Sequence, residues 1–178
     1  MRLAVLSDIH ANLAALRAVR DHLPAGFLDA IQNYVALLLD ANERVNLTRV
    51  TEPGDMARLH LLDALAALPL IDAAGPRRAV DLGSGGGVPA IPLALARPDV
   101  EWLMVDSVGK KAAVLRECIA VLGLRNAAVS SERAEALGRD PRHRERHDVV
   151  TARACASLPV LVELALPLVA VGGLLLAW

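Results

Sequence analysis

Aromatic side chains are nearly missing from this sequence. Phe27, Tyr34, Trp102 and Trp178 are the only four in 178 residues. A set so small and scattered cannot build the stacking platform on which single-stranded bases are read. Cysteine is equally scarce. Cys118 and Cys155 fit no metal-ligand or redox spacing. With no secretory signal at the N-terminus, they point to a reducing cytoplasm. Charge of neither sign dominates. Nineteen basic and twenty acidic residues give a net charge of −1, which excludes a strongly basic nucleic-acid footprint over the whole chain but allows a local patch. Long apolar runs are lacking too. Leu158 to Trp178 is the one membrane candidate, but it contains Glu163, two prolines and Gly172-Gly173. Its uncharged part falls short of the ~20 residues of a span, and a helix followed by a buried strand accounts for it.

What is present is apolar and short-range periodic. Hydrophobic residues make up 54% and charged residues 22%, which excludes a largely disordered chain. A chain of this length buries roughly 70% of its unfolded surface and needs no disulfide or metal to fold. Residues 2–7 suit a short strand, and Ala11 to His22 a helix with Leu13, Leu16 and Val19 on one stripe. Pro24-Ala25-Gly26 breaks that helix. A second helix is predicted from Phe27 to about Asn42, with Ile31, Val35, Leu38 and Leu39 inward. Asn46-Leu47-Thr48 falls in a connector. Pro53 can open a third helix, with Thr51 as capping candidate. His60 and Asp63 then share a face, placed either to orient each other or to cap the face on which the N-terminal helices dock.

Ala73-Ala74-Gly75-Pro76 closes this helical section, and strands and helices alternate beyond it. Strands are expected ending at Asp81 and over 100–105, 127–130, 148–152 and 174–178. Helices are expected over 88–96, 110–122 and 160–169. Such alternation with apolar strands predicts an α/β fold: a mostly parallel sheet with helices on both faces. Three parts follow: a strand–helix appendage (1–24), a helical N-terminal section (25–72) and an α/β core (73–178).

Asp81-Leu82-Gly83-Ser84-Gly85-Gly86-Gly87 joins a predicted strand to a predicted helix. Glycines there let the backbone turn sharply and approach a ligand, in the crevice where open parallel sheets bind ligands. Val88 stands where a dinucleotide fingerprint needs its last glycine, and no Gly-Lys-Ser/Thr follows. The pattern Asp-x-Gly-x-Gly-x-Gly resembles instead the first motif of Rossmann-like class I methyltransferases. That resemblance implies S-adenosyl-L-methionine as cofactor. Asp106, ending the next strand, suits the ribose hydroxyls.

Further blocks carry a narrower resemblance: Asn46-Leu47-Thr48, His60-Leu61-Leu62-Asp63, Val88-Pro89-Ala90-Ile91-Pro92, Val105-Asp106-Ser107 with Lys110-Lys111, Arg133-Ala134-Glu135, and Arg153-Ala154-Cys155-Ala156-Ser157-Leu158. From about Phe27 to Trp178 the chain resembles the bacterial 16S ribosomal RNA guanine-N7 methyltransferases, also called glucose-inhibited division protein B. The resemblance implies methyl transfer to guanine N7 in 16S RNA of the small ribosomal subunit. It implies a cofactor site lined by Gly83, Gly85, Val88, Asp106, Ala134, Glu135 and Arg153. RNA contact falls to Lys110, Lys111, Arg133 and Arg153, joined or not by the loop arginines Arg139, Arg142, Arg144 and Arg146. Lys110 and Lys111 begin a helix, where cations oppose the dipole, and that favours a ligand-facing role. Guanine N7 has a lone pair and no proton to lose, so alignment rather than acid–base catalysis is required. Cys155 lacks the preceding proline of a cytosine-C5 nucleophile. Alternatives are a cofactor-binding but inactive fragment and a methyltransferase of another RNA or small molecule.

Two ends depart from this pattern. Met1 to Asp21 resembles the opening of calcineurin-like metallophosphoesterases. Asp8 and His10 are candidate metal ligands there, which makes a metallophosphoesterase a third, remote alternative, but the other ligand blocks are absent from the sequence. At the other end, family members continue past the Trp178 position with a final antiparallel hairpin. A chain ending there is expected to lack the last two strands, to expose a sheet edge and to self-associate through it.

Overall fold

In the computed structural model the backbone of residues 2–5 and the whole of residues 23–178 are described. Asp8, His10 and the helix expected over 11–22 lie outside them. Six strands form one sheet: β1 (Arg2–Val5), β2 (Arg78–Leu82), β3 (Glu101–Val105), β4 (Ala127–Ser130), β5 (His147–Ala152) and β6 (Val169–Ala177). Their spatial order is β1-β6-β5-β2-β3-β4, and every neighbouring pair is parallel. The chain steps outward from β2 to β4 and then returns to β5 on the other side of β2. The C-terminal ends of β2 and β5 therefore flank the point where strand order reverses, the place where parallel sheets leave a crevice.

The helices are α1 (Phe27–Arg44), α2 (Pro53–Asp55), a π-helical stretch (Met56–Leu62), α3 (Asp63–Leu65), α4 (Leu68–Ala74), α5 (Ala90–Ala96), α6 (Gly109–Leu122), α7 (Ala134–Leu137) and α8 (Leu158–Ala165). Two cores result, one on each sheet face. Trp102, Met104, Leu174 and Leu176 pack with α1, α5 and α6. Val105, Val150, Leu175 and Ala177 pack with α7 and α8. Successive strand residues point to opposite faces, so a strand covered on both must be apolar throughout. That explains the run Leu174 to Ala177. Among the described residues no helix is long and apolar enough to cross a membrane.

α1 buries Phe27, Ile31, Tyr34, Leu38 and Ala41, a stripe at helical spacing. Val35 and Leu39, expected inward, are half-buried beside it. In the last turn of α1 the side chain of Asn42 accepts hydrogen bonds from the backbone N–H groups of Leu47 and Thr48 at 2.8 and 2.9 Å, which shapes the connector. α2 opens at Pro53 as expected, but Glu52 rather than Thr51 caps it, accepting from the Asp55 N–H at 3.1 Å. The longer Glu side chain folds back onto the first turn.

Several boundaries differ from the pattern reading. β6 begins at Val169, not Leu174, because its first half is irregular. His147 pairs with Val169 and Val149 already with Leu174, so five strand positions are taken up against two. α8 begins at Leu158 with Pro159 in its first turn and ends before Pro167. The short α7 escaped the pattern because four residues are too few to show a period. The bare edge expected at β6 is covered: Arg2–Val5 pairs along Leu174 to Ala177. The outermost strand there is four residues long, and short edge strands limit edge-to-edge pairing.

The turn between α5 and β3 is held from the residue that precedes the neighbouring strand β4. Asn126 Nδ2 lies 3.0 to 3.1 Å from the carbonyls of Ala94, Arg97 and Val100. Asn126→Ala removes the side-chain donor from all three, leaving the Arg97 carbonyl only its bond from the Val100 N–H, and is expected to cost about 1–3 kcal/mol. Asn126→Asp, which turns a carboxylate toward three carbonyl oxygens, should cost more at pH 7. Denaturant unfolding of the three proteins checks this order. By the same measurement Tyr34→Phe, which frees the Gly86 carbonyl from its 2.9 Å bond to the phenol, is expected to cost about 1 kcal/mol.

Candidate active site

The turn after β2 folds over the end of β3. The N–H groups of Gly83 and Ser84 both donate to the Val105 carbonyl, at 2.9 and 3.0 Å. Ser84 Oγ donates to the Asp81 carbonyl and accepts from Val105 N–H. Gly85 N–H donates to Asp106 Oδ2 at 2.8 Å, and Asp106 Oδ1 accepts from Val108 N–H at 2.9 Å. Gly83 has φ +69°, and a Cβ there would lie 2.6 Å from Cys155 Cβ. Both facts require glycine at this position. Tyr34 Oη, bonded to the Gly86 carbonyl, fixes the far side of the turn.

Two hollows adjoin at Gly83. One, of about 250 Å³, is bounded by Asp106, Arg133, Ala134, Glu135 and Cys155. The other, of about 210 Å³, is bounded by Thr48, His60, Gly85, Val88, Lys111 and Arg153. The residues expected from the sequence at a cofactor site thus divide between two neighbouring hollows. Asp106, Ala134 and Glu135 line one; Gly85, Val88 and Arg153 line the other; Gly83 lines both. Asp106 is buried, and two of the roughly four acceptor directions of its carboxylate are taken by backbone N–H groups.

The cations expected near RNA also separate. Lys111 and Arg153 line the smaller hollow and Arg133 the larger, while Lys110 is exposed at the start of α6. The loop arginines do not join them. Glu145 N–H and His147 N–H bond to the carbonyls of Pro167 and Leu168, so the loop closes on the N-terminal ends of β5 and β6, opposite the glycine turn. Within it Arg142 forks onto Asp140, and those hydrogen bonds hold the Asp140 carboxyl down at about 2.

Pattern reading missed several partners. Asp81 is fully buried, takes a 2.6 Å hydrogen bond from Thr151 Oγ1 on Oδ1, and has no partner on Oδ2 among the described residues. Burial pushes its carboxyl up to about 6, against the pull of Thr151 and of the Arg153 guanidinium. His60 and Asp63 do share a face, but both turn to Arg153: Nη2 lies 2.8 Å from His60 Nδ1 and Nη1 lies 3.6 Å from Asp63 Oδ2. The only signal for this was the chemistry of the residues; Arg153 lies 93 residues from His60 in the chain. Cys155 is exposed. Its thiol is raised by partial burial and by Asp81, which disfavours the thiolate a nucleophile needs.

Residues 28–178 match the family model for GidB, rRNA small subunit methyltransferase G. The ribosomal RNA small subunit methyltransferase G of Roseiflexus castenholzii is 48% identical over 151 residues, 84% of this chain and 64% of that protein. The protein of the same name from Sorangium cellulosum is 44% identical over 163 residues, 90% of this chain and 67% of its own length. The chain therefore spans about two thirds of the length of these relatives. Among solved structures, an O-methyltransferase from Bacillus cereus in complex with SAH superposes with a TM-score of 0.57 at 20% identity, over 91% of this chain and 70% of that one. At that identity the likeness is one of fold: the mostly parallel, helix-covered sheet of the class I methyltransferases. Sequence blocks, strand order and family model agree, and the chain belongs to the rRNA small subunit methyltransferase G family.

Proposed function

We propose that this chain binds S-adenosyl-L-methionine across the Gly83 turn and methylates guanine N7 of 16S ribosomal RNA in the small subunit. The observation that carries the reading is the pair of hollows joined at Gly83 over the switch point of the sheet. One suits a nucleoside: Asp106 retains acceptor capacity for ribose hydroxyls, and Ala134-Glu135 meet the base. The other suits the amino-acid end of the cofactor and the incoming nucleotide. The spare Asp81 Oδ2 beneath the turn fits a ligand that brings an amino group, directly or through water. Arg153 and Lys111 fit an anionic oxygen, whether carboxylate or phosphate.

When bound, the cofactor supplies an electrophilic methyl group on a sulfonium. The chain's own task is to align it with a ring nitrogen. Among the described residues lining the smaller hollow there is no carboxylate to serve as a base, and both ring nitrogens of His60 are engaged by Thr48 and Arg153. That suits N7, a nucleophile with no proton to give up. Phosphate contacts by Lys110, Lys111, Arg133 and Arg153 would set the register of the RNA. The curated relatives' name supports ribosomal RNA of the small subunit as the substrate; the choice of N7 rests on the family resemblance and this lining.

Calorimetry with S-adenosylhomocysteine, followed by transfer of labelled methyl from the cofactor to purified small subunits, tests the reading. Saturable binding is expected, weakened at least tenfold by Gly83→Ala and by Asp106→Ala, with label recovered as 7-methylguanine. Binding without transfer would leave a cofactor-binding fragment. No binding by the folded chain would overturn the proposal.

Asp81 adds a stability test. Its folded-state value of about 6 lies above the ordinary 3.8, so the folded chain holds this proton more tightly than the unfolded one. The resulting stabilisation is complete below the unfolded value and is lost as pH rises through about 6. Asp81→Asn removes that loss. Relative to the parent, it should gain up to about 3 kcal/mol in unfolding free energy between pH 4 and pH 7, while cofactor affinity falls. Denaturant titrations at the two pH values, set beside calorimetry, measure both.

A further inference from the structure

Arg153 is gripped by one helical segment of the N-terminal section. Nη1 donates to the Leu59 carbonyl at 3.0 Å and faces Asp63 Oδ2 at 3.6 Å, while Nη2 lies 2.8 Å from His60 Nδ1. A guanidinium carries only donors, so Nδ1 must be the acceptor and the imidazole must be neutral with its proton on Nε2. That proton has a partner: Nε2 lies 2.8 Å from Thr48 Oγ1. The same Oγ1 accepts from Val50 N–H at 3.0 Å. The direction of every bond in the chain Arg153–His60–Thr48 is thereby fixed. The π-helical stretch sets the geometry, since its wide turn carries Leu59 and His60 while Asp63 begins α3.

We propose that His60 is a positioning residue: as an Nε2-protonated neutral imidazole it aims Arg153 at an anionic oxygen in the smaller hollow, a cofactor carboxylate or an RNA phosphate. The inference rests on the functional reading above only for what enters the hollow; the tautomer and the grip follow from the chain alone. Protonation of Nδ1 would set two cationic donors against each other and release Arg153. Around His60 stand Arg153 from the end of β5, Asp63 on its own segment, Asp81 on β2 below Arg153, and Lys111 on α6 across the hollow. Burial and the Arg153 charge both lower the His60 value from 6.5, so the neutral form holds at neutral pH. Asp81 titrates in the same region, but it is present in every variant tested.

His60→Asn and His60→Gln separate the roles. Asparagine places an oxygen near the Nδ1 position and keeps an acceptor for Arg153. Glutamine reaches the Nε2 position and keeps only the donor to Thr48. Both are assayed for S-adenosylhomocysteine affinity by calorimetry and for the KM of small subunits at saturating cofactor, with thermal unfolding as a control. His60→Gln is expected to weaken one of these at least tenfold, the first if Arg153 holds the cofactor carboxylate and the second if it holds RNA phosphate. His60→Asn should stay within threefold of the parent and lose the part of the acid-side decline due to His60, which falls below pH 6.5. Equal behaviour of the two variants, or the reverse order, overturns the proposal. Nitrogen-15 spectra of the labelled chain, with the His60 signal assigned by its loss in His60→Asn, read the tautomer without any ligand. A proton on Nδ1 at pH 7.5 overturns the proposal even if no cofactor binds, while absence of binding with the expected tautomer counts against the functional reading alone.

Discussion

The turn after β2 exists because β3 holds it down. One carbonyl, that of Val105, takes the N–H groups of Gly83 and Ser84, and one carboxylate, that of Asp106, takes the N–H of Gly85. These bonds replace water on backbone groups that would otherwise be orphaned at a strand end. They also decide where space is left. With the turn bent over β3, its two flanks open toward different neighbours, Ala134-Glu135 on one side and Arg153 on the other. The divided crevice is therefore a consequence of backbone bonding before any functional side chain contributes.

The helical section enters the site through polar contacts rather than as a mere cover. Asn42 shapes the connector that presents Thr48, Thr48 receives His60, and His60 and Leu59 receive Arg153. Trp178 Nε1 donates to the Asp63 carbonyl at 3.2 Å, which ties the end of β6 to the same segment. Local capping, a buried imidazole and a sheet terminus thus converge on one guanidinium. Buried polar chains of this kind are stabilising only when every member is satisfied, and this one has a consistent donor and acceptor at each step.

Much of this was legible in the residues. The alternation of apolar strands and amphipathic helices predicted the parallel sheet, and the glycines with Asp106 located the crevice. Prediction failed where the cause was long-range. Nothing in the periodicity of α1 marks Tyr34 as the partner of Gly86, because the contact depends on how α1 packs over the turn. His60 and Asp63 were legible as a pair on one face, but their shared target lies on β5. The arginine loop reads as a basic patch in one dimension; in three it sits at the opposite end of the sheet from the glycines. The strand near the N-terminus was legible, and it could add to a sheet edge; that it covers β6 was not, because the pairing of β1 depends on a neighbour more than 170 residues away in the chain.

The scarcity of aromatic groups has an optical consequence. The chain contains a single tyrosine, and its phenol is buried and bonded to the Gly86 carbonyl, with ionisation pushed well above the usual range by burial. Tyrosine absorption in the near ultraviolet therefore comes from one address. Set apart from the overlapping indole absorption of Trp102 and Trp178, that phenol is a native spectroscopic label beside the glycine turn.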